Sequence, residues 1–310
     1  MRPTVIPVPA MGAEDVLVGH DGAVWTGTEE GSIWRVDPED DSVRRVARTG
    51  GRPLGLEWLP DGAMLVCDAH RGLLRVDVST GEVVDLLRIV EGRAMVFCNN
   101  AAVSADGGIW FSDSSTMFSI ERWKDDFLQG TRTGRLLHRS ADGEVQVVLD
   151  GLAFANGVAL AADESWVAVA ETGARTVVRH WLSGARAGRR EFLVEGLPGY
   201  PDNISRGSDG LVWVTIASPS DPMVERLQKA PMVIRRLATK IPERLQPAPK
   251  QTVRVQAYDD SGRLVHDLDL EAVGYHMVTG VREHRGRVWM GSLHEGALAV
   301  VDLQPKPTVG

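Results

Sequence analysis

Hydrophobic positions along this chain fall in short runs cut by Asp-Gly turns, with no long helical stripe. Asp21-Gly22 leads into Val24-Trp25, Asp61-Gly62 into Met64-Leu65, and Asp106-Gly107 into Ile109-Trp110. Asp163-Glu164 leads into Trp166-Val167, Asp209-Gly210 into Leu211-Val212-Trp213, and Arg285-Gly286 into Val288-Trp289. β-Branched runs punctuated by Gly and Asp are strand and turn signals. Around each turn the same set recurs. An inner run such as Asn156-Gly157-Val158-Ala159-Leu160 precedes it, and a run such as Val24-Trp25-Thr26-Gly27 follows. A third like Leu73-Leu74-Arg75-Val76-Asp77 and a more polar fourth like Val83-Val84-Asp85-Leu86-Leu87 complete the unit. Four strands repeating at a period of about 40–50 residues mark a propeller. The chain is predicted to be all-β, a six-bladed β-propeller in one domain spanning 1–310.

The predicted blades run 12–50, 51–92, 93–151, 152–197, 198–271 and 272–304. A β-sandwich would not explain one register position recurring at a fixed offset. The last blade has three convincing strands, ending at Ala297–Asp302, and Thr4-Val5-Ile6-Pro7-Val8 is left over. Pairing the two chain ends would close the ring and remove an exposed edge. Two repeats are long, with their excess between second and third strands, at 114–132 and 219–251. The second insert reads as a short helical lid. Ser220-Asp221-Pro222 and Ala230-Pro231 place Pro at a first helical position, and Met223, Leu227, Met232, Ile234 and Leu237 supply an apolar side.

Stepping back seven residues from each turn gives Glu14, Leu54, Asn99, Asn156, Asp202 and Val278. Inner strands converge on the propeller axis, so one register position from several blades meets in a small volume. Glu14, Asn99, Asn156 and Asp202 then form an oxygen-only set. Hard oxygen donors select Ca²⁺ or Mg²⁺ over zinc or copper, and amide carbonyls with two carboxylates suit Ca²⁺. A single inner-strand Asn or Asp more often satisfies backbone groups. Four at one register favour a metal, because converging carboxylates without a cation are costly. Asn100 and Asn203, one residue on, are placed to orient ligands.

Composition narrows the partners. A formal net charge of −8 argues against nucleic acid. There is no apolar run long enough to span a membrane and no signal-like N-terminus, and Cys67 and Cys98 read as buried thiols, which together predict a cytoplasmic protein. The lid insert carries Arg226, Lys229, Arg235, Arg236, Lys240, Arg244 and Lys250 against Asp221, Glu225 and Glu243. Peripheral contact with an anionic membrane surface is one reading of that pattern. A solvated helix face over a pocket is the preferred one. Trp25, Trp110, Trp213 and Trp289 read as packing between blades.

Several stretches together resemble the bacterial branch of the strictosidine-synthase-like family. They are Phe154-Ala155-Asn156-Gly157-Val158-Ala159-Leu160, Leu197-Pro198-Gly199-Tyr200-Pro201-Asp202-Asn203, Phe111-Ser112-Asp113-Ser114-Ser115 and Gly291-Ser292-Leu293, with the insert tail Ile241-Pro242-Glu243-Arg244-Leu245-Gln246-Pro247. That family belongs with gluconolactonase/SMP-30 proteins and paraoxonases. The resemblance implies a six-bladed propeller with one catalytic Ca²⁺ on Glu14, Asn99, Asn156 and Asp202, other divalent cations being alternatives. Departures refine it. His276-Met277-Val278-Thr279-Gly280-Val281 has no acid where strictosidine synthase carries its glutamate, so Pictet–Spengler condensation is not expected. Leu54 stands where paraoxonases carry a histidine, and Asn99-Asn100 replaces the family's Asn-Asp pair, which argues against a second, structural Ca²⁺.

The expected function is calcium-dependent hydrolysis of a small-molecule lactone, or an ester or phosphoester of similar size. Asp202 is the expected base or nucleophile, with a metal-held water as the alternative attacker. His276 is a second catalytic candidate, placed two residues before Val278 on the same strand side. A metal-dependent isomerase or cyclase, or a non-enzymatic ligand-binding propeller, are the alternatives.

Overall fold

The structure is a computed structural model, and it describes residues 2–241, 250–271 and 274–303. The insert residues Glu243 and Arg244, and most of the stretch 241–247, lie outside the described residues.

Six four-stranded antiparallel sheets succeed one another as the blades of a β-propeller. Each runs as a meander outward from an inner strand, in order Leu17–Val18, Pro53–Trp58, Cys98–Val103, Ala155–Leu160, Gly199–Arg206 and Val278–His284. The sixth blade is completed by the N-terminus, where Thr4–Pro7 pairs antiparallel with Ala297–Asp302. This closure protects an edge that would otherwise present unpaired backbone groups. Six hydrophobic clusters fill the six spaces between neighbouring blades. Trp25, Trp110, Trp213 and Trp289 each belong to one of these clusters. Cys67 and Cys98 are buried and free in the cluster between blades two and three.

The inner strands share one irregularity. In blades two to six the pairing of first and second strands skips two residues: Leu54-Gly55, Asn99-Asn100, Asn156-Gly157, Asp202-Asn203 and Thr279-Gly280. In blade one Glu14-Asp15 lie just ahead of the strand, and Glu14 N–H donates to the Gly27 carbonyl (3.3 Å). A bulge re-aims side chains, which is why these positions leave the blade face and point to the axis. Blade six corrects the sequence reading. The step of seven gives Val278, but the bulge places Thr279 at that address. The cause is a tight turn in which His284 and Arg287 pair directly, one residue shorter than the Asp-Gly turns.

The second bulge position alternates around the ring: Asp15, Asn100 and Asn203 in odd blades, Gly55, Gly157 and Gly280 in even ones. Each glycine gives space to its neighbour. A Cβ on Gly55 would lie 2.6 Å from Asn100 Cα, one on Gly280 2.6 Å from Asp15 Cα, and one on Gly157 2.0 Å from the Ile204 nitrogen. Three side chains therefore fill the axis where six would collide.

Among the described residues three short α-helices occupy the inserts: α1 (Trp123–Gln129) in the first, α2 (Pro222–Gln228) and α3 (Met232–Ala238) in the second. Asp221 caps α2 through Met223 N–H (2.7 Å), with Pro222 at the first helical position as expected. Pro231 is the N-cap of α3, one residue earlier than the sequence reading. Arg235 donates to the Gln129 carbonyl at the end of α1 (2.9 Å), which turns that side of α3 inward. Met232, Val233, Ile234 and Leu237 consequently face outward and are exposed. The apolar side anticipated for the insert is thus divided, with Met223 and Leu227 of α2 lining the central cavity.

Candidate metal centre

The bulges bring Glu14, Asn99, Asn156 and Asp202 to the wall of one cavity of about 260 Å³. Leu54 takes blade two's place in the same wall. Blade six contributes Met277, while Thr279 turns away and its Oγ1 donates to the Glu14 carbonyl (2.9 Å). That bond, with the Glu14 N–H bond to Gly27, fixes the backbone that carries Glu14.

Side-chain orientation follows from the neighbours. Asn203 Nδ2 donates to Glu14 Oε1 (3.1 Å), leaving Oε2 buried with no protein partner. Asn156 Nδ2 donates to Thr172 Oγ1 (3.2 Å), leaving Oδ1 unpartnered, and Asn99 Oδ1 is likewise buried and unpartnered. Buried polar atoms are almost always satisfied, so several oxygens without a protein partner on one cavity call for hydrogen-bond donors or a cation. Among the described residues no three His, Cys, Asp or Glu side chains converge on a point. The donor set is mixed, two carboxylates and two amide carbonyls, and that chemistry fits Ca²⁺.

Electrostatics point the same way. Burial, then Asp202 and Asp15 nearby, pushes the Glu14 carboxyl well above its usual range against the pull of Arg52. Burial pushes Asp202 up to about 7, opposed by a hydrogen bond from Asn156 and reinforced by Asp15. Asp15 is pushed up to about 6 by burial, with Arg282 opposing. Asp15 does not line the cavity. Its Oδ2 accepts from Leu56 N–H (3.0 Å) and Asn100 Nδ2 (3.4 Å), and Asn100 Oδ1 accepts from Val158 N–H (2.9 Å). Asn100 thus ties blades one, three and four together below the cavity, while Asn203 orients Glu14.

These shifts fix a pH dependence for the metal-free protein. The three carboxyls ionise near 4 when unfolded but hold their protons higher when folded, so the folded state binds more protons from about pH 4 to 7. These three groups therefore make stability fall as pH rises through that window, outweighing the opposite contribution of His138 and His180, which burial holds below the usual histidine range. Thermal unfolding in chelator is expected to give a midpoint a few degrees higher at pH 5.5 than at pH 8, and Ca²⁺ is expected to raise it more at pH 8. A midpoint that climbs with pH in chelator would count against this electrostatic account.

His276 is not among the cavity residues. Its Nδ1 lies 2.5 Å from Glu295 Oε1, outside the ring. The one-residue slip in blade six explains this: the position two residues ahead of the bulge is Met277. That position forms a second ring, overlooked in the sequence, in which Phe97, Phe154, Tyr200 and Met277 all line the cavity. The signal was the same spacing of two, ahead of Asn99, Asn156, Asp202 and Thr279.

Comparison with known proteins agrees with this architecture. The SMP-30/Gluconolactonase/LRE-like region matches residues 16–247. Adipocyte plasma membrane-associated protein of Gallus gallus is 32% identical over 94% of this chain and 77% of its own. A strictosidine synthase-like protein of Arabidopsis thaliana is 29% identical over 95% of this chain and 80% of its own. Among solved structures, a gluconolactonase from Xanthomonas campestris superposes with a TM-score of 0.71 at 16% identity, covering 97% of this chain and 89% of that one. A calcium-binding regucalcin from Agrobacterium tumefaciens gives 0.67 at 14% identity, covering 96% and 91%. At those identities the structures speak for the fold alone. The matched region and the relatives show that this chain belongs to the SMP-30/gluconolactonase-like propeller family.

Proposed function

We propose that the chain is a calcium-dependent hydrolase of lactones, or of esters or phosphoesters of similar size. The observation that carries this reading is the set of buried, unpartnered oxygens of Glu14, Asn99 and Asn156 beside Asp202 on one cavity. Glu14, Asn99, Asn156 and Asp202 would hold the ion. When bound, Ca²⁺ supplies a Lewis acid for the carbonyl or phosphoryl oxygen and for the oxyanion that develops there.

The protein's own groups do the rest. Asn203 and Thr279 hold Glu14 in place through its Oε1 and its carbonyl. Of the two carboxyls in the candidate ligand set, Glu14 is buried and Asp202 is the one not fully buried, so it can meet a substrate or a water. It takes the proton of the attacking water at an Oδ and returns it to the oxygen that leaves as the acyl C–O bond breaks; in the alternative it attacks the carbonyl carbon itself, that C–O bond breaks, and water then hydrolyses the acyl-Asp202. Phe97, Phe154 and the α2 side chains keep bulk water from the reacting carbon. A gluconolactonase and a calcium-binding regucalcin among the structural neighbours support the reading by analogy of fold.

A second reading, isomerisation through a metal-held enolate or ligand binding without turnover, is favoured by one observation: among the described residues no histidine lines the cavity. A panel of lactones, aryl esters and phosphotriesters separates the two. Turnover that disappears on chelation and returns with Ca²⁺ supports the hydrolase, whereas Ca²⁺ binding by calorimetry with no turnover gives the second reading the lead.

A further inference from the structure

The protein has one hydrophobic cluster more than its architecture requires. Six clusters lie between blades, where packing explains them. The seventh gathers Leu54, Phe97 and Phe154 with Ala69, and Ile120 and Trp123 of the first insert pack against it. Phe97 and Phe154 meet edge to face with ring centroids 5.4 Å apart. This cluster lies at the cavity, and Leu54, Phe97, Phe154, Ile120 and Trp123 all line it. Across from it Phe127 stacks edge to face on Tyr200 (4.8 Å), and Met223 and Leu227 of α2 also line the cavity.

The Leu54–Phe97–Phe154 wall itself carries no polar side chain. Elsewhere, besides the four candidate ligands, Thr172 already accepts from Asn156 (3.2 Å), Asp221 caps α2, and Lys124, Ser218 and Lys250 line the cavity on its insert side. The ring is also lopsided. Blades one, three, four and five supply oxygen donors, while blade two supplies Leu54.

We infer that the cavity takes an apolar lactone or ester, with its reacting carbonyl over the Glu14–Asn156–Asp202 side and its alkyl or aryl body against the Leu54–Phe97–Phe154 wall, and that it discriminates against polyhydroxylated lactones. The physical reason is satisfaction of hydroxyls. Each sugar hydroxyl moved from water to a phenylalanine wall loses its partners, costing on the order of 5- to 150-fold in affinity. Each methylene placed there gains about 0.8 kcal/mol, which is about fourfold in affinity.

The inference deepens the hydrolase reading and rests on it only for turnover, so the test has a binding arm. Non-hydrolysable lactams with side chains lengthening from methyl to hexyl are titrated into the Ca²⁺-loaded protein by calorimetry, and the matching lactones are assayed beside δ-gluconolactone. Affinity and kcat/KM are expected to rise severalfold per methylene until the chain reaches α2, with δ-gluconolactone at least about 100-fold below the hexyl lactone. Trp123→Ala and Leu227→Ala, both at half-buried insert positions, are expected to flatten the chain-length series of lactam affinity and to raise KM for the longer lactones. Their Ca²⁺ affinity should match the parent protein. An affinity series that does not climb with chain length, or a preference for δ-gluconolactone, overturns the inference. A climbing lactam series without lactone turnover supports the apolar wall and instead counts against the hydrolase reading.

Discussion

Asp202→Asn is expected to lower hydrolysis by roughly 10²–10⁴-fold, the usual cost of removing a catalytic proton acceptor. It should also weaken Ca²⁺ binding in calorimetry, because one of the two carboxylates of the candidate ligand set is gone. Glu14→Gln removes the other, yet its effect should differ in kind. Glu14 is buried and tethered by Asn203 Nδ2, so its role is to hold charge toward the cavity. Raising the Ca²⁺ concentration should therefore restore much of the Glu14→Gln activity and little of the Asp202→Asn activity. Each variant removes a carboxyl whose ionisation burial opposes, Glu14 being pushed well up with Asp202 and Asp15 adding to the shift, and Asp202 to about 7 with Asp15 adding, so in chelator at pH 8 each should unfold at a higher temperature than the parent. Full activity in Asp202→Asn would remove that residue from the chemistry. Undiminished Ca²⁺ binding in both variants would remove the proposed ligand set.

Much of this centre was legible because a propeller is a repeat, and its turns index the register. Counting back seven from Asp106, Asp163 and Asp209 reaches Asn99, Asn156 and Asp202, and all three line the cavity. The count failed where the turn changed. At His284–Arg287 the hairpin is one residue tighter, so the address is Thr279, and the partner two residues ahead is Met277 and not His276. A period argument cannot see a local deletion when the deletion is itself the turn. The helix α1 was also passed over, although Trp123 and Phe127 are four apart and Gly130 closes it with a φ of 59°. The outward side of α3 could not be read, because it depends on Arg235 reaching the Gln129 carbonyl more than a hundred residues away in sequence. Hydrophobic spacing marks a helix face, but which face is covered is settled by contacts between inserts.

The alternation of Asp15, Asn100 and Asn203 with three glycines carries the largest stability prediction. Gly157→Ala is expected to cost about 3 kcal/mol or more, lowering the unfolding midpoint by at least about 5 °C. The added Cβ would sit 2.0 Å from the Ile204 nitrogen and 2.5 Å from Asn203 Cα, all backbone of blade five, so no side chain can rotate aside. Blade four would have to move away from blade five at the axis. That movement opens the cluster holding Ala159, Ile204 and Val214, and it displaces Asn203 from Glu14 Oε1. The folded fraction of the variant should consequently bind Ca²⁺ more weakly. Gly151→Ala is the matched control. Its φ of 67° strains any side chain, but nothing lies within 4 Å of the new Cβ, so only the backbone cost of about 1–2 kcal/mol applies. If the two substitutions cost the same and Gly157→Ala leaves Ca²⁺ affinity intact, blades four and five are not held at the axis by this close approach, and the alternation has no structural force.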